Sequence, residues 1–222
     1  MKISVITASY NCASTLEATI ASFRSQNYIN KELIIVDGGS TDGSVEIIKS
    51  AGKDITRWIS EPDLGLYDAL NKGISMAEGD AIGFLHSGDH YAGPEVLEKI
   101  VREFQEGKAD AVYGDLRYVK LNKREKVIRY WQSGEFYPGL LQKGWMPPHP
   151  TFYMKREIYA EHGLYDLSFR IAADYELMLR VLKNPALKIG YIPEVLVEME
   201  TGGLSNGRLI NIFRKSAEDF RA

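Results

Sequence analysis

Short apolar runs alternate with amphipathic stretches through the first half of the chain. Residues 3–8 are almost wholly apolar and stop at the polar Ser9-Tyr10-Asn11, which predicts a buried strand followed by a loop. Ser14-Thr15-Leu16-Glu17 reads as a capping box opening a helix, with Leu16, Ile20 and Phe23 on one face. A second strand over 32–36 closes abruptly at Asp37-Gly38-Gly39-Ser40, and a short helix through Val45 and Ile48 ends at Gly52. Residues 55–59 predict a third strand. Residues 66–77 predict a helix with Leu66, Ala69, Leu70, Ile74 and Ala77 inward and Gly79 just past its end. A fourth strand over 81–85, a helix over 94–106 opened by Pro94, and a fifth strand over 109–113 complete the series. Strands that are apolar throughout, alternating with helices, predict an α/β fold with a mostly parallel sheet covered on both faces.

The rhythm then changes. Residues 116–121 and 126–131 flank Asn122-Lys123-Arg124-Glu125 and predict a hairpin, and an aromatic, proline- and glycine-rich loop covers 136–150. Helices follow near 155–162 and 174–182, then a strand around 188–199, and Leu209, Ile212, Phe213 and Phe220 stand at helical spacing. No repeat or linker interrupts the chain. The pattern predicts one domain over 1–222 with two lobes, about 1–115 and about 116–222.

Composition narrows the class. With 45% apolar residues in 222, the chain can bury a substantial core, which excludes disorder. Its 27 basic and 30 acidic residues give a net charge of −3, unlike a generally basic nucleic-acid binder. No apolar run reaches the ~18 residues of a membrane span, and the first apolar stretch is too short for a signal peptide. The single cysteine, Cys12, excludes an internal disulfide and fits a reduced, cytoplasmic setting.

In an open parallel sheet, ligands bind beyond the carboxyl ends of the strands. Those ends carry Thr7-Ala8-Ser9-Tyr10-Asn11, Asp37, and His86-Ser87-Gly88-Asp89, so these segments should converge on one crevice. Neither a GxGxxG nor a GxxxxGK[ST] loop is present, and bulky Tyr10-Asn11 stands where phosphate-binding glycines would be. A bound diphosphate would therefore need another counter-charge, which a divalent cation on Asp89 could supply.

Taken together, several segments resemble the family 2 glycosyltransferases. They are Ala8-Ser9-Tyr10-Asn11, Val36-Asp37-Gly38-Gly39-Ser40-Thr41-Asp42-Gly43, Ser60-Glu61-Pro62-Asp63, Tyr67-Asp68-Ala69-Leu70-Asn71-Lys72-Gly73, Leu85-His86-Ser87-Gly88-Asp89, Ala173-Asp174-Tyr175-Glu176-Leu177 and Gly202-Gly203-Leu204-Ser205. The resemblance runs from residue 2 to about 206, and is greatest to the bacterial branch that builds surface polysaccharides. It implies a GT-A fold and inverting transfer from a nucleotide-sugar donor, UDP- or GDP-linked, to a glycan or lipid-linked acceptor. It further implies that Ala8, Tyr10, Asp37 and Gly38 hold the nucleoside, with Asp68, Lys72 and Ser87 beside the donor. Asp89 would bind Mg2+ or Mn2+, and Asp174 would be the general base. Family members often end the fourth-strand motif with an acidic pair, where this chain has Gly88 before Asp89. The Gln-x-x-Arg-Trp signature of processive members is missing.

Plainer readings exist for the same residues. Asp37 could be a turn former, Asp174 a helix N-cap, and Asp68, Asn71 and Lys72 a solvated helix face with a local ion pair. His86 and His90 lack zinc-site spacing, and His149 is either a loop residue or a further metal ligand. Arg117, Lys120, Lys123, Arg124, Lys126 and Arg129 form a basic hairpin, a solvated one or one that meets anionic lipid at the inner face of the membrane. Trp131, Phe136, Tyr137, Trp145 and Met146 nearby suggest an acceptor site. Other functions considered are a catalytically silent nucleotide-sugar-binding subunit and a sugar nucleotidyltransferase. The latter needs a glycine-rich basic phosphate loop that Tyr10-Asn11-Cys12-Ala13 does not provide.

Overall fold

A computed structural model describes residues 1–121 and 123–201. The Gly202-Gly203-Leu204-Ser205 motif, the helical spacing of Leu209, Ile212, Phe213 and Phe220, and Asn122 of the hairpin turn lie outside the described residues.

Strands β1 (Ile3–Ser9), β2 (Lys31–Asp37), β3 (Arg57–Ser60) and β4 (Ala81–Phe84) form a parallel set in the order β3-β2-β1-β4. Ile6 stands level with Ile34 on one side and Phe84 on the other. Helices α1 (Ala13–Arg24), α2 (Ser44–Ala51), α3 (Leu66–Met76) and α4 (Val96–Gln105) connect or follow these strands. Because a strand's side chains alternate, one apolar run supplies two cores. Val5, Leu33 and Ile35 join Leu16, Ile20, Phe23, Ile48 and Ile100 on one face. Ile6 and Ile34 join Tyr67, Leu70 and Ile74 of α3 on the other, together with Leu177 and Val181.

Beyond β4 the sheet continues through β8 (Tyr153–Lys155), β6 (Ala111–Lys120), β9 (Ile189–Glu200) and β5 (Asp89–Tyr91), with β7 (Lys123–Trp131) in a hairpin on β6. β8 is antiparallel to both β4 and β6, whereas β6 and β9 are parallel. The result is a mixed α/β fold whose mostly parallel sheet curls. Helices α5 (Arg156–His162) and α6 (Ala173–Leu182) complete it. Among the described residues no helix is long and apolar enough to cross a membrane.

Several local expectations need correction. Helix α1 begins at Ala13 behind Cys12, and not from a capping box at Ser14; its first amide donates to Asp42 Oδ2 at 2.9 Å. A carboxylate from a neighbouring loop thus replaces the local cap and also opposes the positive end of the helix dipole. Leu66 is 48% exposed, and Tyr67 is the inward residue of that turn. Leu66 is the first residue of α3, and the buried face of the helix runs through Tyr67, Leu70 and Ile74. The two strands expected at 109–113 and 116–121 are one strand, β6, kept continuous by β9 alongside it. The segment around Asp89, expected as loop, is strand β5, paired with β9. Strand β8 falls where a helix was expected to begin. Asp174 does not cap α6: Ala172 holds the N-cap position and Asp174 lies inside the first turn.

Candidate active site

The loop after β2 is built around Asp37, which is completely buried. Its Oδ1 accepts from Ser9 Oγ at 3.2 Å and Ser40 Oγ at 2.5 Å. Its Oδ2 accepts from Ser60 Oγ at 2.8 Å and from the Gly39 and Ser40 amides at 3.1 and 2.9 Å. Burial alone would push this carboxyl up, but the donors, Ser40 foremost, outweigh it and hold it below the usual range. Asp37 is thus an anion that shapes the loop. Gly38 lets two other groups come close: a Cβ there would lie 2.5 Å from Asp63 Oδ2 and 3.3 Å from the ring of Tyr10. Ala8 precedes them on β1, half-buried, and Tyr10 projects 58% exposed at the edge of the crevice. Ala8, Tyr10, Asp37 and Gly38 are therefore brought together.

Asp68 and Lys72, on the first two turns of α3, belong to the wall contributed by Ser60-Glu61-Pro62-Asp63. The Leu64 amide donates to Asp68 Oδ2 at 3.0 Å, and Lys72 Nζ lies 2.8 Å from Glu61, 3.4 Å from Asp68 and 3.3 Å from the Pro62 carbonyl. The local ion pair exists, but the face is not simply solvated. Asn71 between them clamps the Tyr165 backbone, donating to its carbonyl at 2.9 Å and accepting from its amide at 3.0 Å.

The loop after β4 is tied to α1. Ser87 Oγ is 2.8 Å from Thr15 Oγ1, the Gly88 amide donates to Thr19 Oγ1 at 3.0 Å, and Thr19 Oγ1 donates to the Asp89 carbonyl at 3.2 Å. Gly88 has φ +93°, in the left-handed region that glycine enters freely. Asp89 is only 2% exposed, and its Oδ2 finds no hydrogen-bond partner among the described residues. Burial pushes this carboxyl up to about 8, partly offset by the His86 backbone and reinforced by Glu200. An orphaned carboxylate oxygen fits a cation whose remaining ligands come from a bound diphosphate and water. Among the described residues no group of three or more His, Cys, Asp or Glu side chains could hold a metal without such help.

His149 brings the 136–150 segment against β4 and the loop after it. Its Nδ1 lies 3.4 Å from His86 Nε2, its Nε2 2.7 Å from Tyr165 Oη, and its ring stacks on Phe84 at 4.9 Å. Both of its nitrogens thus meet protein groups. Burial pushes His149 down to about 4, and burial with the charge of His149 takes His86 to about 3, against the pull of Asp174. Next to this stack Tyr67 Oη lies 2.9 Å from Asp174 Oδ1 and 2.5 Å from the Ile171 carbonyl, and its ring leans on Tyr165 at 5.4 Å.

The acceptor-side residues are more structural than their aromatic character suggests. Trp145 packs on Phe136 and Tyr113, with its Nε1 donating to the Ser133 carbonyl at 3.0 Å. Arg117 and Arg124 converge on buried Glu198, the former through Nε at 2.8 Å and the latter through Nε at 2.7 Å. Lys120, Lys123, Lys126 and Arg129 remain exposed on the hairpin. Sequence reasoning missed the roles of Tyr67, Tyr165 and the serines around Asp37. Tyr67, Ser9, Ser40 and Ser60 carried a signal as members of family motifs, and Tyr165 carried none.

Comparison with known proteins agrees with this architecture. The model of glycosyl transferase family 2 matches residues 4–170. A protein of Mycobacterium tuberculosis (strain CDC 1551 / Oshkosh), named as the uncharacterized glycosyltransferase MT1564, is 36% identical over 213 residues, spanning 93% of this chain and 78% of that protein. A PGL/p-HBAD biosynthesis glycosyltransferase of Mycobacterium bovis (strain BCG / Pasteur 1173P2) is 31% identical over 208 residues, spanning 91% and 78%. The chain belongs to glycosyl transferase family 2, and it is a glycosyltransferase. S. aureus TarS superposes with a TM-score of 0.73 at 17% identity, covering 99% of this chain and 43% of that one. The mannosyltransferase PcManGT from Pyrobaculum calidifontis, in complex with GDP-Man and Mn2+, gives 0.70 at 19%, covering 100% and 64%. This chain therefore spans less than two-thirds of either, and the likeness establishes the GT-A fold.

Proposed function

We propose that this glycosyltransferase moves a sugar, with inversion, from a UDP- or GDP-linked donor to a hydroxyl of a glycan or lipid-linked acceptor in surface polysaccharide or glycolipid assembly. The observation that carries the reading is the meeting of Tyr67 on α3 with Asp174 on α6 at 2.9 Å, which sets a carboxylate of the second lobe against the donor-side helix of the first. Residues 1–115 would form the nucleotide-sugar lobe and 116–222 the acceptor lobe. Ala8, Tyr10, the loop braced by Asp37 and Gly38, and Ser87 would surround the nucleoside and donor. Asp68 and Lys72 would lie beside the donor.

In this mechanism Asp174 takes the proton of the acceptor hydroxyl as its oxygen bonds to the anomeric carbon. The bond from that carbon to the diphosphate oxygen breaks, and its electron pair leaves with the nucleoside diphosphate. One displacement inverts the centre. Lys72, held at rest by Glu61 and Asp68, would offset charge on the leaving group. When bound, Mg2+ or Mn2+ on Asp89 would supply further positive charge at the diphosphate. Support for the donor class comes from TarS, whose structure was solved with UDP-GlcNAc, and from PcManGT with GDP-Man and Mn2+. We place the reaction in the cytoplasm, with the exposed cations of β7 facing the membrane when the acceptor is lipid-linked.

The test is thermal unfolding with UDP, GDP, CDP and TDP, each with and without Mn2+. A ligand that binds only the native state raises the midpoint. A rise with UDP or GDP, larger with Mn2+ and lost in Asp89→Asn, is the expected result. No rise with any diphosphate would overturn the donor assignment.

A further inference from the structure

The Tyr67 hydroxyl has one proton and faces two acceptors, Asp174 Oδ1 at 2.9 Å and the Ile171 carbonyl at 2.5 Å. A phenol needs one acceptor to be satisfied in a protein interior. The Ile171 carbonyl already meets that need, so the second contact calls for another explanation. The ring cannot swing away from it. Tyr67 is buried in the first turn of α3 and leans on Tyr165, whose hydroxyl is 2.7 Å from His149 Nε2 and whose backbone is clamped by Asn71. The hydroxyl is thereby fixed in place while its proton stays free to rotate between two oxygens.

We infer that Tyr67 is a positioning residue for Asp174, donating to the carboxylate before proton transfer and turning its proton to the Ile171 carbonyl once Asp174 is protonated. This rests on the reading of Asp174 as general base. The rotation breaks no covalent bond: the O–H of Tyr67 changes acceptor, and the proton Asp174 gains comes from the acceptor hydroxyl. The carboxylate is thus held by a donor while it is ionised, and keeps a fixed neighbour after it is neutralised. His86, from the loop after β4, and Tyr165 also act on Asp174 electrostatically. Burial keeps His86 neutral down to about pH 3, and Tyr165 is held well above its ordinary value, so both stay neutral across the pH range of the assay below.

The experiment follows release of nucleoside diphosphate from UDP-GlcNAc and GDP-mannose, with water as acceptor, across pH 4–9. It compares wild type, Tyr67→Phe, Asp174→Asn and the double variant. A donor to the charged form lowers a carboxyl's pKa, so its removal should raise the acidic limb of kcat/KM by about one pH unit. We expect Tyr67→Phe to lower kcat about tenfold with KM for the donor unchanged, and the double variant to be no slower than Asp174→Asn. Incorporating 3-fluorotyrosine at position 67 keeps ring and hydroxyl while strengthening the donor, and should move the acidic limb the other way. That probe decides the matter if Tyr67→Phe loses its fold. An inactive Asp174→Asn beside a Tyr67→Phe with unchanged kcat and pH profile would overturn the positioning role alone. Full turnover in Asp174→Asn would overturn the base assignment, and this inference with it.

Discussion

Asp37→Asn and Asp37→Ala should separate cleanly, and the structure says by how much. Five donors converge on this buried carboxylate, three hydroxyls and two backbone amides. Asparagine can turn its NH2 toward the Oδ1 side, where both partners are the hydroxyls of Ser9 and Ser40, which can accept as well as donate. Its carbonyl then keeps the Gly39 and Ser40 amides and Ser60. Only the charge assistance is lost, about 1–2 kcal/mol. Alanine leaves two amides without an acceptor at about 1–3 kcal/mol each, so about 2–6 kcal/mol in all. For a chain of this size each kcal/mol moves Tm by about 2–4 °C, giving drops centred on about 4 °C for asparagine and about 12 °C for alanine. Circular dichroism melts at pH 7 measure both. The native-state pKa of Asp37 is depressed, so its stabilisation is present above the unfolded carboxyl value and is lost as pH falls through the folded one. Both variants should therefore lose part of the wild type's acid-side decline. Equal Tm values for the two variants, or no change in either, would refute the view that this carboxylate organises the loop.

Three further outcomes follow from the structure. The Asp89 carboxyl is raised in the fold, so its ionisation opposes folding as pH rises from the unfolded value toward about 8; Asp89→Asn should raise Tm at pH 8 without metal and abolish any Mn2+-dependent rise. Glu198→Gln leaves the partly exposed Arg117 and Arg124 guanidinium groups without their shared carboxylate, and should cost about 1–2 kcal/mol in urea unfolding. Gly88→Asp puts an acidic pair at the end of the β4 loop but forces a side chain onto a backbone at φ +93°, and should cost about 1–3 kcal/mol without tightening Mn2+ in a calorimetric titration.

Strands β1, β2 and β4 were legible in the sequence because each is buried on both faces and reads as a largely apolar run, as Val5-Ile6 and Ile34-Ile35 illustrate, whereas the edge strand β3 is only half covered. Strands β5 and β8 were not. Each has three residues, too few to show a period, and each exists through pairing with β9, or with β4 and β6. β6 was divided in two because Gly114-Asp115 looks like a turn; the structure closes Leu196 over Gly114 and buries Asp115 under the hydroxyls of Tyr130 and Tyr191. For the candidate site, motif residues such as Asp37, Asp68 and Asp174 could be named from sequence, but their partners could not. Ser9, Ser40 and Ser60 come from three separate segments, and the pairing of Tyr67 with Asp174 spans 107 positions. Spacing along one helix likewise could not reveal that Asn71 turns to Tyr165 while Asp68 and Lys72 turn to the Glu61 loop.

Strand β6 has a consequence for how such enzymes can be recombined. Its ten residues run across position 115, bonded to β9 along one flank and to β8 and β7 along the other. A graft that changes parents at the apparent lobe boundary would cut through that strand and demand matching registers on three neighbours at once. Acceptor preferences should therefore transfer between relatives through the surface segments that the sheet carries, such as the 136–150 loop, more readily than by swapping halves. The strand ties residues on both sides of position 115 into one sheet, which leaves variation to its margins.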